Sequence, residues 1–551
     1  MSEAKVLKGA STMEIKSSNI DHLGIISSIC DEIGLVETIN RMVPQDKTTK
    51  LSIGSRVKAM IINGLGFTGR PLYLTPQFFN KRPVGLLVGE NATADALNDD
   101  ALGRSLDALY ENNAELIFSA IAKQAVKVYK VKTNVRHLDT SSMSVDGKYL
   151  KDEGIGIIRF GHSKDMRADL KQMILSSLVT NDGGIPLVAK VLPGNTSDAK
   201  HFRNALSEMQ NNIAEGDESF TVVFDAAGYN KETIEMLTSV TWISRVPDTI
   251  GEAKQLKDSI DDNKFEKLEN GYSIYETTSE YGGVKQRWFL IFSQQALDRV
   301  SGTIDRNVAS EYSSLEGKLK KLSSQKFSCC DDARKAFDKF NISKYHKIEL
   351  IKITEQKSFL KRGKPKNSDP FKLEYCIEAK MTEDTDKIIK AKKYQSKFII
   401  ATNELCDKKM NKDCVLKTYK EQSHVESGFR FLKNPVCMID SVNLKKQSRI
   451  IALGMLMFLC LLVYAIAERA LRIALEQNNE TIPNQVNKPT KKPTMRWVFQ
   501  MMECIIVNEF IEDGKHVIQF ANLNDVLKKI IILLGSACMK IYNIYPQPST
   551  A

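Results

Sequence analysis

Residues 450–467, with the sequence IIALGMLMFLCLLVYAIA, limit the possible folds of this chain more than any other segment, because eighteen uncharged and mostly apolar residues follow one another. A helix of this length lies at the lower limit for crossing a bilayer. Arg449 and Glu468 bound the segment directly, and the sequence has no second segment of this kind to pair with it. We therefore expect a helix buried at the centre of a large protein core, with a membrane-spanning helix as the alternative.

The length and charge of the chain indicate several domains and a polyanionic partner. With 551 residues, the chain is long enough for two to four domains. The net charge of +11 is concentrated in one region, since residues 341–420 contain 20 Lys and Arg against 11 Asp and Glu. Such a basic surface favours nucleic acid ahead of acidic membrane as the partner. A well-solvated, lysine-rich domain without such a partner is the alternative.

The ten cysteines show no CxxC spacing and no zinc-ligand pattern, which favours reduced thiols in the cytosol. The first residues, MSEAKVLKGASTMEIKSSN, lack the apolar core of a secretory signal. We therefore expect a cytoplasmic protein.

Strand-like segments begin near residue 134, after a region with mainly helical apolar spacing. VRHLDTSSMSV predicts a strand, and two apolar runs joined by NDGG at residues 181–184 predict a hairpin. SFTVVFDAAGY then predicts a short buried strand ending at an acid, KETIEMLTSV a helix and TWISRVP another strand. Three antiparallel strands followed by helix, strand, helix and strand form the layout of the ribonuclease H-like fold.

Three acids occupy informative places in this pattern. Asp139 lies on or just after the first strand, Asp225 ends the buried strand, and Glu426 lies on a later predicted helix. A buried carboxylate at a strand end is costly unless it is paired or binds a metal, and a hydrogen-bonded capping acid is the alternative for either aspartate. In a ribonuclease H-like sheet these positions converge at one edge, where three carboxylates can hold two Mg²⁺ ions about 4 Å apart. Oxygen ligands favour Mg²⁺ or Mn²⁺ over zinc.

The segment YKEQSHVESGFRFLK, residues 419–433, predicts a single helix with a polar face. Its polar residues are spaced four and seven positions from Glu426, so that at about 100° per residue all five share one face. These residues are Tyr419, Gln422, Glu426, Arg430 and Lys433. An ordinary amphipathic surface helix with i,i+4 charge pairs is the alternative.

These residues together resemble the DDE transposases of bacterial insertion sequences, in particular the subgroup with a β-strand insertion domain and a Y-R-E-K helix signature. All four positions of this signature have the expected spacing in the chain, and three of them have the expected residue type. Gln422 replaces the expected Arg, which keeps hydrogen bonding but loses the charge. The segments FGHSKDMRADLKQM (160–173), NDGGIPL (181–187) and GNTSDAK (194–200) also resemble segments between the first two acids of such transposases.

The resemblance implies roles for the remaining candidates. Tyr419 and Lys433 would contact phosphates at the transposon end, joined by Arg430. The 201 positions between Asp225 and Glu426 would contain the inserted β-domain. Trp288 in that insertion would stack on a displaced base, with a core tryptophan as the alternative.

The resemblance also implies the overall organisation. We expect an α/β protein with a ribonuclease H-like catalytic core interrupted by a β-rich insertion domain, with helical N-terminal and C-terminal regions. The expected parts are a helical DNA-binding region (1–130), the first part of the core (131–250), a β-rich basic insertion (251–405), the catalytic helix with the helices that follow it (406–480), and a helical tail (481–551).

The expected function is that of a DNA transposase that binds terminal inverted repeats, cleaves the strands with Mg²⁺ (Mn²⁺ substituting) and transfers a 3′-OH into target DNA. Asp139, Asp225 and Glu426 would be both catalytic and metal-binding. The partners would be double-stranded DNA, at the transposon ends and the target, and a second copy on paired ends, without a membrane. The protein would be located in the cytoplasm of a bacterium, in association with the nucleoid. The alternative is a catalytically inactive or domesticated DNA-binding relative.

Overall fold

The structure is a computed structural model in which residues 3–8, 11–45, 49–67, 71–145, 149, 156–164, 166–197, 203–205, 220–268, 271–340, 343–359, 370–433, 444–512 and 515–545 are described. These residues divide into two compact units. Unit 1 contains residues 1–244, 281–284 and 414–551, and unit 2 contains residues 245–280 and 285–413.

Helices occur along the whole chain. In chain order they are α1 (Leu23–Glu32), α2 (Leu35–Met42), α3 (Ile53–Gly64), α4 (Thr75–Phe79), α5 (Val84–Val88), α6 (Asp99–Glu111), α7 (Ala114–Tyr129), α8 (Lys231–Met236), α9 (Gly251–Ser259), α10 (Gln294–Ser324), α11 (Cys330–Phe340), α12 (Thr385–Gln395), α13 (Lys412–Lys420), α14 (Ser423–Leu432), α15 (Gln447–Gln477), α16 (Met495–Met501), α17 (Asp525–Leu533) and α18 (Ser536–Ile541).

The strands make the fold a mixed α/β one, as expected. In chain order they are β1 (Glu3–Lys8), β2 (Ser11–Asn19), β3 (Val135–Val145), β4 (Lys171–Thr180), β5 (Pro186–Pro193), β6 (Thr221–Phe224), β7 (Thr241–Val246), β8 (Glu266–Lys267), β9 (Tyr272–Tyr281), β10 (Val284–Ser293), β11 (His346–Phe359), β12 (Phe371–Glu383), β13 (Lys397–Thr402), β14 (Ile482–Pro483), β15 (Pro489–Thr490), β16 (Ile506–Glu512) and β17 (Lys515–Ala521).

A mixed sheet in unit 1 has the strand order β5-β4-β3-β6-β7. β3, β4 and β5 are antiparallel neighbours, whereas β6 runs parallel to both β3 and β7. The predicted hairpin joins β4 to β5, and Gly183 and Gly184 adopt φ values of 88° and 66° in its turn. Glycine adopts such values without steric cost, so the NDGG sequence correctly predicts this turn.

The apolar segment lies within α15, a helix of 31 residues that contacts α1, α3, α6, α7 and β5. It is long and apolar enough to cross a membrane, but 89% of its most apolar window is buried inside the protein. A Cβ atom on Gly454 would lie 2.5 Å from Cγ2 of Val191, so the helix approaches β5 more closely there than a side chain would allow. Phe458 is fully buried, and its ring packs edge-on against that of Phe118 with 6.2 Å between the ring centroids. The expectation of a buried central helix is confirmed.

The two ends of the chain share a four-stranded sheet of order β1-β2-β16-β17. β2 pairs antiparallel with β16, with Asn19 opposite Ile506 and Lys16 opposite Glu509. The expected helical N-terminal and C-terminal regions therefore also contain strands. β2 and β16 each pair with a local strand, β1 and β17, and also with each other, and local helical spacing contains no sign of this long-range pairing.

Unit 2 contains the strand order β13-β10-β9-β8 and a long two-stranded ribbon of β11 and β12. The ribbon is antiparallel from His346 opposite Glu383 to Phe359 opposite Phe371. Its base packs on α10 and α11 around a small apolar core that includes Leu315, Phe337, Ile348 and Ile377. In β10, the guanidinium of Arg287 is buried and donates to Oε1 of Glu276 at 2.7 Å and Oδ1 of Asp407 at 2.8 Å.

Candidate active site

The first two predicted acids lie side by side in the sheet of unit 1. β3 and β6 pair in parallel with His137 opposite Val223. Carried two residues further along both strands, this register puts Asp139 beside Asp225, which directly follows β6. Parallel neighbours are about 4.8 Å apart. Asp139 and Asp225 therefore lie at the same level of the sheet.

Backbone amides fix both carboxylates. Oδ1 of Asp139 accepts a hydrogen bond from the Thr140 amide at 2.7 Å. Oδ1 of Asp225 accepts one from the Ala227 amide at 3.0 Å, so the carboxylate closes the turn that follows its strand. The hydroxyl of Ser244 on β7 donates to the Asp225 carbonyl at 3.2 Å. The alternative role as hydrogen-bonded capping acids is thus present in the geometry, alongside the proximity of the two acids.

Electrostatics link all three acids. Burial raises the pKa of Asp139 to about 6; Lys164 acts in the opposite direction, while the negative charges of Asp225 and Glu426 add to the rise. A like charge near a carboxylate disfavours its ionised form, and the effect falls with distance. Asp225 and Glu426 therefore both lie near enough to act on the ionisation of Asp139.

Glu426 lies on α14, which packs against β3 and α15. The apolar side of α14 is anchored by Phe429 and Leu432, of which 6% and 1% are exposed. Gly428 faces Leu461 of α15, where an added Cβ would lie 3.3 Å from Cδ2. Because this side is docked, Glu426 and Arg430 remain exposed on the other side of the helix.

The predicted single helix over residues 419–433 is wrong, because it is interrupted at residues 421–422. Tyr419 lies in α13, whereas Arg430 belongs to α14 and Lys433 is its C-cap. The Gln422 amide donates to the Tyr419 carbonyl at 3.1 Å, a tightened turn, and Oε2 of Glu421 accepts a hydrogen bond from Asn181 at 3.2 Å. This contact with the β4–β5 turn holds the chain where α13 ends.

The side chains of two further candidates are buried in this structure and therefore cannot contact DNA in it. Gln422 is buried at 9% exposure. Trp288 is fully buried in β10, and its indole N–H donates to Oε1 of Gln286 at 3.1 Å. This burial matches the alternative of a core tryptophan, and the stacking of Trp288 on a base stays a prediction.

Lys164 is a site residue that the sequence reasoning did not single out. Its Nζ donates to the carbonyl and the hydroxyl of Thr140, both at 2.8 Å, and so lies one residue from Asp139. The available sign was its position in FGHSKDMRADLKQM, between the first two acids. Spacing alone could not show that this loop returns to β3.

The carboxylates suit a divalent cation in their chemistry and position. Burial, with smaller contributions from the charges of Asp225 and Glu426, disfavours the ionised form of Asp139, and a bound cation would act in the opposite direction. Oxygen donors of this type match Mg²⁺ and Mn²⁺. Over the described part of the chain, no group of three His, Cys, Asp or Glu side chains is close enough to hold a metal ion. Asp139 and Asp225 lie together on neighbouring strands, whereas Glu426 lies on a separate helix.

Residues 138–463, more than half of the chain, match the model of the transposase DDE domain family. The chain belongs to this family, and the predicted resemblance is confirmed. Residues 15–123 also match a domain of unknown function (DUF4277).

Among solved structures, the chain is similar to a piggyBac transposase synaptic complex with hairpin DNA, determined by cryo-EM. The two are 10% identical with a TM-score of 0.37, over 88% of this chain and 80% of that one. No curated protein matched the chain.

Proposed function

We propose that this protein is the DNA transposase of an insertion sequence: it binds the terminal inverted repeats, cleaves at the ends of the element and joins the released 3′-OH to target DNA. The observation that carries the proposal is the alignment of Asp139 and Asp225 on neighbouring strands, with Glu426 on a helix that packs against the first of these strands. Membership of the transposase DDE domain family supports the same reaction class.

The topology of unit 1 supports a ribonuclease H-like core. The order β5-β4-β3-β6-β7, with three antiparallel strands followed by two parallel ones, is the layout expected from the sequence. The acids come from its first and fourth strands and from a later helix. Residues 131–250 and 406–480 would form this core, with residues 251–405 as the insertion.

The chemistry follows from what each residue holds. A Mg²⁺ or Mn²⁺ pair, when bound, activates the attacking oxygen and stabilises the leaving oxygen. Asp139 and Asp225, on neighbouring strands, would lie on one side of the bound phosphate, and Glu426 on α14 would lie on the other side. Arg430, one turn further along the same exposed side, and Lys433 at the helix end contact the DNA backbone. Phe429 and Leu432 hold this helix in place by their burial.

The remaining parts would bind and assemble the DNA. The 20 Lys and Arg of residues 341–420 give the insertion a basic surface, which suits donor DNA. Residues 1–130 would recognise the ends, and residues 481–551 form a tail with both helices and strands. Two copies acting on paired ends would form a homodimer, in the cytoplasm and on the nucleoid of a bacterium.

A cleavage assay on DNA that contains the gene and its flanking sequence tests the proposal. The parent protein should release the element's ends with Mg²⁺, whereas Asp225→Asn and Glu426→Gln should bind the same DNA without cutting it. Glu421→Gln is the matched control, because it removes a carboxylate five positions from Glu426 and keeps a hydrogen-bond acceptor for Asn181.

Cleavage by the Glu426→Gln variant at the parent rate would refute the acid assignment. Specific binding of the ends without cleavage by the parent protein, at any Mg²⁺ or Mn²⁺ concentration, would replace the proposal with the inactive DNA-binding relative.

A further inference from the structure

Residues 156–164 and 166–170 lie beside the sheet of unit 1 and bring one amine close to Asp139. The main chain of Lys164 donates to Oγ of Ser142 at 2.9 Å, and its Nζ donates to both oxygens of Thr140 at 2.8 Å. Asp139 is the residue before Thr140, and Lys164 is among the charges that act on it. Lys164 is itself an exposed residue.

The course of this loop is fixed by close backbone contacts. Gln172 of β4 is fully buried and donates from Nε2 to the Gly194 carbonyl at 2.8 Å and the His162 carbonyl at 3.2 Å. A Cβ on Gly161 would lie 1.9 Å from the Gly194 oxygen, and one on Gly194 would lie 2.0 Å from the Gln172 oxygen. No residue with a side chain fits at either position without moving the backbone. The placement of Lys164 is thus built into the core of the sheet.

The other nearby cation of the loop is differently placed. The guanidinium of Arg167 pairs with both carboxylate oxygens of Asp169, at 2.9 and 2.8 Å, three residues beyond Lys164. Its charge is therefore balanced within the loop. Lys164 donates to a carbonyl and a hydroxyl, and it is among the charges that act on Asp139.

A cation at this position complements the negative charge of a reacting phosphodiester. Phosphoryl transfer concentrates negative charge on the non-bridging oxygens of the phosphate, and fixed cations stabilise that charge. A phosphate held between Asp139, Asp225 and Glu426 would come within reach of the flexible Lys164 side chain, whose ammonium has three donors.

We propose that Lys164 is a catalytic residue of the transposition reaction, which donates to a non-bridging oxygen of the scissile phosphate and stabilises its transition state. This rests on the proposed function. In the cleavage step, the oxygen of water bonds to phosphorus and the bond from phosphorus to the 3′ oxygen breaks. The water loses a proton to solvent, the 3′ oxygen gains one, and Lys164 keeps its own proton throughout.

Single-turnover cleavage of the flanked DNA tests this with three variants. Lys164→Met should cleave on the order of 100-fold more slowly, as for the loss of one preorganised donor. Lys164→Arg should recover most of the rate because the charge is restored, and Arg167→Ala should cleave at the parent rate. End-DNA affinity, measured in EDTA, should differ less than about threefold between Lys164→Met and the parent, because the lost contact is made in the transition state.

A second substrate separates catalysis from structural support of the loop. In DNA with a phosphorothioate at the scissile position, sulfur replaces one non-bridging oxygen, and the two diastereomers place it differently. The parent should cleave one diastereomer much more slowly than the other, and Lys164→Met should lose most of that difference. A structural role would slow both diastereomers equally and lower the thermal midpoint of unfolding.

The outcomes are distinct. Parent-like cleavage by Lys164→Met, or slow cleavage with the full diastereomer difference retained, overturns the role of Lys164 and leaves the proposed function standing. Absence of cleavage by the parent and by Arg167→Ala alike overturns the proposed function, and the role of Lys164 with it.

Discussion

Replacing Asp139 with Asn should stabilise the metal-free protein at alkaline pH. Burial, together with Asp225 and Glu426, raises the pKa of Asp139 from 3.8 to about 6 despite the opposing charge of Lys164. The folded state therefore binds more protons than the unfolded state between these two pH values, and the free energy of unfolding falls as pH rises through that window.

The size of the effect follows from this pKa difference, which corresponds to about 3 kcal/mol above pH 6. Asn has nearly the same shape and can still accept the hydrogen bond from the Thr140 amide. Asp139→Asn should thus gain up to about 3 kcal/mol over the parent at pH 8, and the gain should fade towards pH 4. The same variant should lose cleavage.

Denaturant unfolding in EDTA at pH 8, 6 and 5 measures the gain. Asp182→Asn is the control of opposite sign: although its burial acts to raise the pKa, the hydrogen bond and charge of Arg469 hold the pKa of Asp182 below its usual value. That variant should be less stable than the parent at pH 8. An Asp139→Asn protein that is equally or less stable than the parent at pH 8, or a gain independent of pH, would refute the reasoning. Adding Mg²⁺ should then stabilise the parent more than the variant.

Three other predictions concern binding, packing and pH. Lys433→Ala should make the slope of log affinity for end DNA against log salt shallower by about one, and an unchanged slope would place Lys433 off the phosphates. Phe458→Asp should unfold or aggregate the protein because it buries an unpaired charge in α15. Phe458→Ala should lower the free energy of unfolding, measured with denaturant, by about 3–5 kcal/mol, and a loss under about 1 kcal/mol would contradict the burial. Burial lowers the pKa of His22 to about 4, so stability should fall by up to about 3 kcal/mol from pH 6.5 to pH 4, and His22→Gln should lack that part of the pH dependence.

Local signals were sufficient for the elements around the first two acids. The alternation in β3, the NDGG turn between β4 and β5, and the short apolar run before Asp225 are each specified by neighbouring residues, and each lies where the sequence predicts it. The all-round apolarity of residues 450–467 likewise predicts a helix surrounded by protein. The acids follow from these elements, because the register of β3 and β6 is what places them together.

The features that escaped prediction depend on distant partners. The interruption between α13 and α14 involves a contact of Glu421 with Asn181, which is 240 positions away. A local sign was present, since Ser423 and Glu426 have the S-x-x-E spacing of a helix start. The burial of Trp288 depends on strands paired across unit 2, with Ala401 opposite it on β13. The placement of Lys164 depends on glycines 33 positions apart, Gly161 and Gly194, that approach each other.

The sheet shared by the two chain ends has a consequence for synthesis. β2 cannot obtain its partner β16 until the ribosome has added nearly 500 further residues. The hydroxyl of Tyr542 donates to the carbonyl of Asp21 at 2.5 Å, and its ring closes over Gly24 at the start of α1. At about 5–20 residues per second, the edge of β2 stays without β16 for roughly 25–100 seconds. β2 therefore reaches its final contacts only after β16 has been made, and a chain that ends before β16 leaves β2 without that neighbour.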